Sequence, residues 1–299
     1  MSIIGKSFGI LIESVIFATD FSPASKGAAI YASNLAVYFH LNLIVTHCFS
    51  LSQAALEVEV ETGKHRSKQR TDLENLLKNT ALVLPSGEGK SEAILLEGDP
   101  HEVVPALAYE RSPALVVLGT HGRNAVDRLL LGSVAESILR RFNGPALTVG
   151  PHVSAVLSKQ LSFRRILYAT DGYPESVHAA PFAVAFAEAY GIEIDVLHVV
   201  RSDQIDHPDR LHEIQQRFYS ALDATVPLHA KEFCDPRSFV EVGEAQDRIL
   251  KHIDERKIDL LVLGLKRNSH FGMENRTKGA FPIIAMASCA VLTIADGSI

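Results

Sequence analysis

Short apolar runs rich in β-branched residues alternate along the chain with longer stretches in which apolar residues recur every three or four positions. Val15-Ile16-Phe17-Ala18 and Leu115-Val116-Val117-Leu118 carry no charge and are too short for helices, so they predict strands buried on both faces. Between them, Ala28, Ala29, Ala32, Leu35 and Ala36 fall on one side of a 3.6-residue repeat, which predicts a packed helix. Strands and helices in alternation predict βαβ units and a parallel sheet. For the first half the pattern predicts strands over 14–19, 42–48, 91–96, 115–118 and 146–149. Helices are predicted over 23–39, within 63–80, over 100–110, and from Gly132-Ser133 to just before Asn143 and Gly144. The second half predicts strands over 165–170, 193–199, 238–242, 259–263 and 291–294.

These halves are one unit written twice. Val15-Ile16-Phe17-Ala18-Thr19-Asp20 returns 151 residues later as Ile166-Leu167-Tyr168-Ala169-Thr170-Asp171, and Pro23, Ser25 and His47 return as Pro174, Ser176 and His198. The LVVLG run ending at Gly119 returns 145 residues later as the LLVLG run ending at Gly264, so the copies differ by a net deletion of six residues in the middle. The expected division is a first domain over residues 1–150, a linker over 151–162 and a second domain over 163–299. The stretch 49–63 is long for a loop in a compact domain and reads as a mobile segment or a lid.

Composition narrows the function classes. With 47% hydrophobic residues among 299 the chain can bury a full core, and a net charge of −6 without a basic run argues against nucleic acid. Three cysteines, Cys48, Cys234 and Cys289, lack C-x-x-C spacing, which fits a reducing, cytoplasmic setting better than a disulfide framework or zinc knuckle. The apolar patch over 8–12 is interrupted by Gly9 and followed by Glu13 with no small-residue cleavage site, so it does not read as a signal peptide. The charge-free run over 279–295 contains Pro282 and is shorter than the about 20 residues of a membrane span, so it reads as core.

Candidate chemistry gathers at three strand ends of the first half: Ala18-Thr19-Asp20, His47-Cys48, and Gly119-Thr120-His121-Gly122-Arg123 with Gly132-Ser133-Val134 beyond it. Ligands of open parallel sheets bind beyond the carboxyl ends of strands. Glycines let backbone amides approach a ligand, and a helix start presents unpaired N–H groups, so the last stretch holds both halves of an anion cradle. Arg123 reads either as added positive charge or as a solvated loop arginine. Asp20 reads either as a ligand contact or as an Asx-turn or capping residue before the first helix. His47 and His198 read as structural histidines, Cys48 as a small buried residue, and the remaining histidines lack metal-ligand spacing. Gly89-Lys90-Ser91 ends like a P-loop, but the earlier glycine is missing and the stretch precedes a strand.

The pattern G-x-x-G, nine residues, G-S from Gly119 to Ser133 resembles the nucleotide signature of the universal stress protein family, in its ATP-binding branch. That resemblance covers nearly the whole chain as a tandem pair. It implies an α/β fold of two tandem open, twisted, five-stranded parallel sheets flanked by helices, Rossmann-like and of the adenine-nucleotide α-hydrolase-like type, arranged as a pseudo-twofold pair. It also implies binding of ATP, ADP or AMP with Mg²⁺, in a regulatory stress-response role. By the same resemblance Asp20, next to Thr19, would sit by the nucleoside or metal, and Ala18 and the Cys48 backbone by the adenine. Gly119 and Thr120 would lie along the ribose, and Gly122, Gly132, Ser133 and Val134 would hold the phosphates. The edge strands 146–149 and 291–294 would pair the halves within one chain, with a homodimer of the tandem chain as a further expectation. Two rival functions stay open: slow ATP hydrolysis or autophosphorylation with Ser133 or a nearby hydroxyl as acceptor, and an interaction module whose glycine loop is a relic.

In the second copy the motif decays. Arg267 stands for Gly122, and Thr277 and Lys278 for Gly132 and Ser133, while Gly279 could serve after a slip. The phosphate cradle there is expected to be lost or remade, with Lys266, Arg267, Arg276 and Lys278 leaving a cationic loop. Glu136, Arg140 and Arg141 give way to Phe281, Ala285 and Met286. This predicts either an added apolar face, against the first half or a second chain, or drift within an already buried helix.

Overall fold

A computed structural model describes residues 2–5, 7–22, 25–49, 62–120, 131–153, 163–172, 174–205, 207–225, 236–265 and 279–295. After a small ribbon, β1 (Ser2–Ile4) and β2 (Ile10–Ile12), the first half runs β3 (Ser14–Ala18), α1 (Ser25–Phe39), β4 (Asn42–Phe49), α2 (Thr62–Val83), β5 (Ser91–Glu97), α3 (Pro100–Glu110), β6 (Ala114–Gly119), α4 (Ser133–Arg141) and β7 (Pro145–Val149). The second half repeats it as β8 (Arg165–Ala169), α5 (Pro174–Val177), α6 (Ala180–Tyr190), β9 (Glu193–Val200), α7 (Pro208–Thr225), β10 (Pro236–Val242), α8 (Ala245–Arg256), β11 (Leu260–Leu265), α9 (Ala280–Met286) and β12 (Ala290–Ala295). Each half contributes five parallel strands, and the two sets join into one ten-stranded sheet in the order β10-β9-β8-β11-β12-β7-β6-β3-β4-β5. The predicted strands agree with these bounds to within two residues at each end.

Helices cover both faces, which is why β3, β6, β7, β11 and β12 in the middle of the sheet carry no charged residue. Along β3, Val15 and Phe17 pack toward α1 and α6, while Ile16 packs into the layer that holds α3, α4, α8 and α9. The ribbon β1–β2 was not predicted, because strands of three residues leave too short a pattern. It buries Ile4 and Ile12 and lies on α6 of the second half. Gly5 makes that approach possible: at φ +73° it passes so close that a Cβ would lie 2.5 Å from the Ala185 Cα.

The two halves meet about a pseudo-twofold axis. β7 and β12 pair antiparallel with Leu147 opposite Leu292, which are equivalent positions of the repeat. Two further equivalents, Thr148 and Thr293, are fully buried and satisfy each other's strand. Thr148 Oγ1 donates to the Val291 carbonyl at 3.2 Å, and Thr293 Oγ1 to the Ala146 carbonyl at 3.0 Å. On one face α1 meets α6, where Phe39 and Tyr190, again equivalents, pack edge to face at 5.7 Å. Tyr38 stacks on Tyr190 at 4.3 Å, and Phe163 meets it edge-on at 5.0 Å. On the other face the changed helix α9 turns toward the first half: Ala285 is fully buried and the Arg140 guanidinium lies 4.3 Å over the Phe281 ring. Among the described residues, no helix is long and apolar enough to cross a membrane.

Candidate functional site

A cleft of about 370 Å³ opens beyond the carboxyl ends of β3, β4 and β6, closed on one side by the first turns of α3 and α4. It brings together Ala18, Thr19, Asp20, Cys48, Gly119, Thr120, Gly132, Ser133 and Val134. Gly122 and Arg123 fall in 121–130, outside the described residues, as do 50–61 of the long loop, Cys234, and the cationic stretch 266–278.

The β3 side is held by a local polar frame. The Thr19 amide continues the sheet by donating to the Thr46 carbonyl at 2.9 Å. Its hydroxyl lies 3.1 Å from Ser25 Oγ and accepts the Phe21 N–H at 3.0 Å. Asp20 Oδ1 accepts the Ser22 N–H at 2.9 Å, an Asx turn that leads into α1. His47 Nδ1 lies 2.7 Å from the Thr19 carbonyl. A carbonyl can only accept, so Nδ1 carries the proton. The second half repeats the frame: His198 Nδ1 is 2.9 Å from the Thr170 carbonyl, and Thr170 Oγ1 is 2.7 Å from Ser176 Oγ. His47 and His198 are therefore struts of the strand-end turn.

The opposite wall carries the donors. Thr120, buried, donates its amide to the Val149 carbonyl at 3.0 Å and accepts the Gly132 N–H at 2.7 Å. That last bond clamps the two ends of the glycine segment together and uses the Gly132 amide. Gly132 is extended (φ −59°, ψ 140°) with no side-chain cap, and the helical ladder begins with the Glu136 amide on its carbonyl at 2.9 Å. The amides of Ser133, Val134 and Ala135 thus occupy the first turn, where no intrahelical acceptor exists, and all three residues line the cleft. An anion is stabilised there by these donors and by the helix dipole.

Cys48 is half-buried, and burial, with the Asp99 charge adding to it, pushes its thiol up to about 12. It stays protonated at neutral pH and is not an activated nucleophile. Asp20 is the one carboxylate among the described lining residues. No group of three or more His, Cys, Asp or Glu side chains suited to a metal occurs among the described residues. Sequence reasoning did not name Ser25, Thr46, Pro100, Val104 or Ile138 as cleft residues. Only Ser25 carried a signal, its recurrence as Ser176. Pro100 and Val104 arrive through the packing of α3, which no local motif announces.

Comparison with known proteins agrees with this architecture. The model of the universal stress protein family matches residues 12–150 and again 162–273. A universal stress protein of Methanocaldococcus jannaschii, MJ0577, is 23% identical over 155 residues, covering 47% of this chain and 96% of that protein. One from Thermus aquaticus is 29% identical over 140 residues, covering 46% of this chain and 99% of its own length. The crystal structure of a universal stress protein from Archaeoglobus fulgidus superposes with a TM-score of 0.73 at 17% identity, covering 95% of this chain and 98% of that one, which shows the shared fold. With two family matches that span most of its length, the chain belongs to the universal stress protein family.

Proposed function

We propose that the first half binds an adenine nucleotide, ATP or its ADP and AMP relatives, and that the protein acts as a cytoplasmic regulator in the stress response. One observation carries this reading: the first-turn residues of α4, whose amides have no acceptor within the helix, line the same cleft as the ends of β3 and β4. The strand ends suit a base and sugar, with Ala18 and the Cys48 backbone beside the base, and Thr19, Asp20, Gly119 and Thr120 toward the ribose. The helix end suits phosphate, with the Ser133 hydroxyl and the Ser133 and Val134 amides as donors. Gly132 serves by conformation, since its own amide is used, and Gly122 and Arg123 extend the cradle by sequence. A cleft of about 370 Å³ lies within the size range of small-molecule sites. Mg²⁺ would be held chiefly by phosphate oxygens, with Asp20 as the protein's carboxylate. The β7–β12 contact supports an intramolecular pair as the working unit.

Thermal unfolding with ATP, ADP and AMP tests the proposal on the wild type and on Gly132→Asp, which sets a carboxylate at the helix start. Ligand at ~100 times Kd should add about 2.7 kcal/mol of apparent stability to the wild type. The variant should lose that gain. A wild type indifferent to all three nucleotides would sink the reading and leave the interaction module in its place, and a radiolabelled ATP assay separates binding from turnover.

A further inference from the structure

The second half keeps an open cleft at the matching place, about 660 Å³, beyond the ends of β8, β9 and β11. Its strand-end side copies the first: Ala169, Thr170, Asp171 and Ser176 stand where Ala18, Thr19, Asp20 and Ser25 stand. The other side is rebuilt. Leu265 takes the place of Thr120, and α9 has only seven residues with Pro282, which has no N–H, in its first turn. Helix-start donors for an anion are therefore fewer than in α4.

Charge points the same way. Arg140 and Arg201 reach the wall of this cleft, but each is engaged. Arg140 bonds to Glu136 through Nε at 3.0 Å and Nη2 at 2.9 Å, and lies over Phe281. Arg201 bonds to Asp203 at 2.8 and 3.1 Å, and the charge of Glu244 acts on it as well. The described lining itself holds two carboxylates, Asp171 and Glu244, and these two guanidiniums. Among the described lining residues, a phosphate therefore finds no guanidinium without a carboxylate partner. Hydroxyl donors are welcomed, as in dinucleotide sites where an acidic side chain accepts from the ribose. Val199, Leu265 and Phe281 supply an apolar wall of the kind a planar base covers.

We propose that the second cleft is a separate binding site for an unphosphorylated nucleoside, with Asp171 as acceptor for ribose hydroxyls and the apolar wall for the base. The assignment of nucleoside rests on reading the first cleft as a nucleotide site, because the copied strand-end frame is what relates the two. The segment 266–278 forms no part of the site as drawn.

Calorimetry on the full chain decides it. The chain is first saturated with ATP and then titrated with adenosine, guanosine, cytidine or uridine. At least one nucleoside should bind with one further equivalent. Asp171→Ala, at an exposed position, should weaken that equivalent at least tenfold, and Ala245→Trp, which adds bulk at the mouth of the cleft, should abolish it. ATP affinity and thermal midpoint should stay at wild-type values in both variants. The proposal is overturned if no nucleoside binds the ATP-saturated chain, if neither variant alters the extra equivalent, or if that equivalent appears with AMP and not with adenosine. If ATP itself fails to bind, the first-cleft reading falls. The nucleoside titrations of wild type, Asp171→Ala and Ala245→Trp then still support or overturn the second site on their own.

Discussion

Three positions that are equivalent in the two halves are filled with opposite chemistry. In the first half Ile44 of β4, Leu96 of β5 and Leu107 of α3 meet as apolar neighbours of the helix layer. At the same repeat positions the second half has Asp195, Glu241 and His252. Asp195 and His252 are 0% and 4% exposed, and His252 Nε2 lies 3.3 Å from Asp195 while its Nδ1 lies 3.2 Å from Glu241. Arg256 closes the group with bonds to Asp195 at 2.9 and 3.1 Å. The strand register is the same around them: Ile44 is flanked by Ile16 and Glu92, and Asp195 by their counterparts Leu167 and Arg237. A βαβ layer therefore accepts either fill, provided the ionic one is complete. The same contrast separates the clefts, where the strand-end frame is copied and the ligand-facing helix start is not.

The sharpest way to break the comparison is at the axis that relates the halves. Tyr190→Ala removes a ring shared by Tyr38, Phe39 and Phe163 and should cost about 3 kcal/mol in urea unfolding. Phe39→Ala, its pseudo-symmetric counterpart, should cost a similar amount. A loss below about 1 kcal/mol for both would mean that the aromatic cluster does not hold the halves together.

Next in size is the ionic layer. His252→Leu alone leaves Asp195 buried with Arg256 as its remaining partner and should cost about 2 kcal/mol. Asp195→Ile with His252→Leu imports the residues of the first half and should recover most of that loss. If the double variant proves less stable than the single one, the two fills are not interchangeable.

The same pair makes a pH prediction. Burial alone would lower the His252 pKa, but its hydrogen bonds to Asp195 and Glu241 and their charges outweigh this and raise it. Burial would raise that of Asp195, but hydrogen bonds from His252 and Arg256, with their charges, hold it below the usual carboxylate range. The His252 contribution is whole below its unfolded value of about 6.5 and is lost as pH rises through the folded value. The Asp195 contribution is whole above about 3.9 and is lost as pH falls through its lower folded value. Urea midpoints should therefore decline on the alkaline side in the wild type, and His252→Leu should flatten that limb. Equal slopes in both proteins would contradict the assignment.

The smallest effect belongs to the threonine pair between β7 and β12. Thr148→Val leaves the Val291 carbonyl without its buried hydroxyl partner and should cost about 1 kcal/mol, as should Thr293→Val across the axis. Unequal losses would show that the pseudo-symmetry of geometry is not one of energy.

Much of this was legible in the chain itself. Apolar runs with no charge announced strands covered on both faces, and the returns of Asp20 as Asp171 and Gly119 as Gly264 announced two copies. An Asx turn is one of the two sequence readings of Asp20 and a structural role is that of His47, and the structure supplies an Asx turn for one and a carbonyl strut for the other. The ribbon β1–β2 escaped because its strands are too short to set a period, and its burial comes from α6, far along the chain.

Periodicity, glycine placement and repetition act through local sterics and burial, so the sequence alone determined the ten strands of the parallel sheets, their repetition and the strand ends where chemistry gathers. Register across the axis, the turning of α9 onto α4, the use of the Gly132 amide by Thr120, and the closure of His252 with Asp195 and Arg256 join residues that no local pattern relates. These were decided only by tertiary structure, because a buried polar group or an apolar face is satisfied by whichever distant partner the packed chain brings to it.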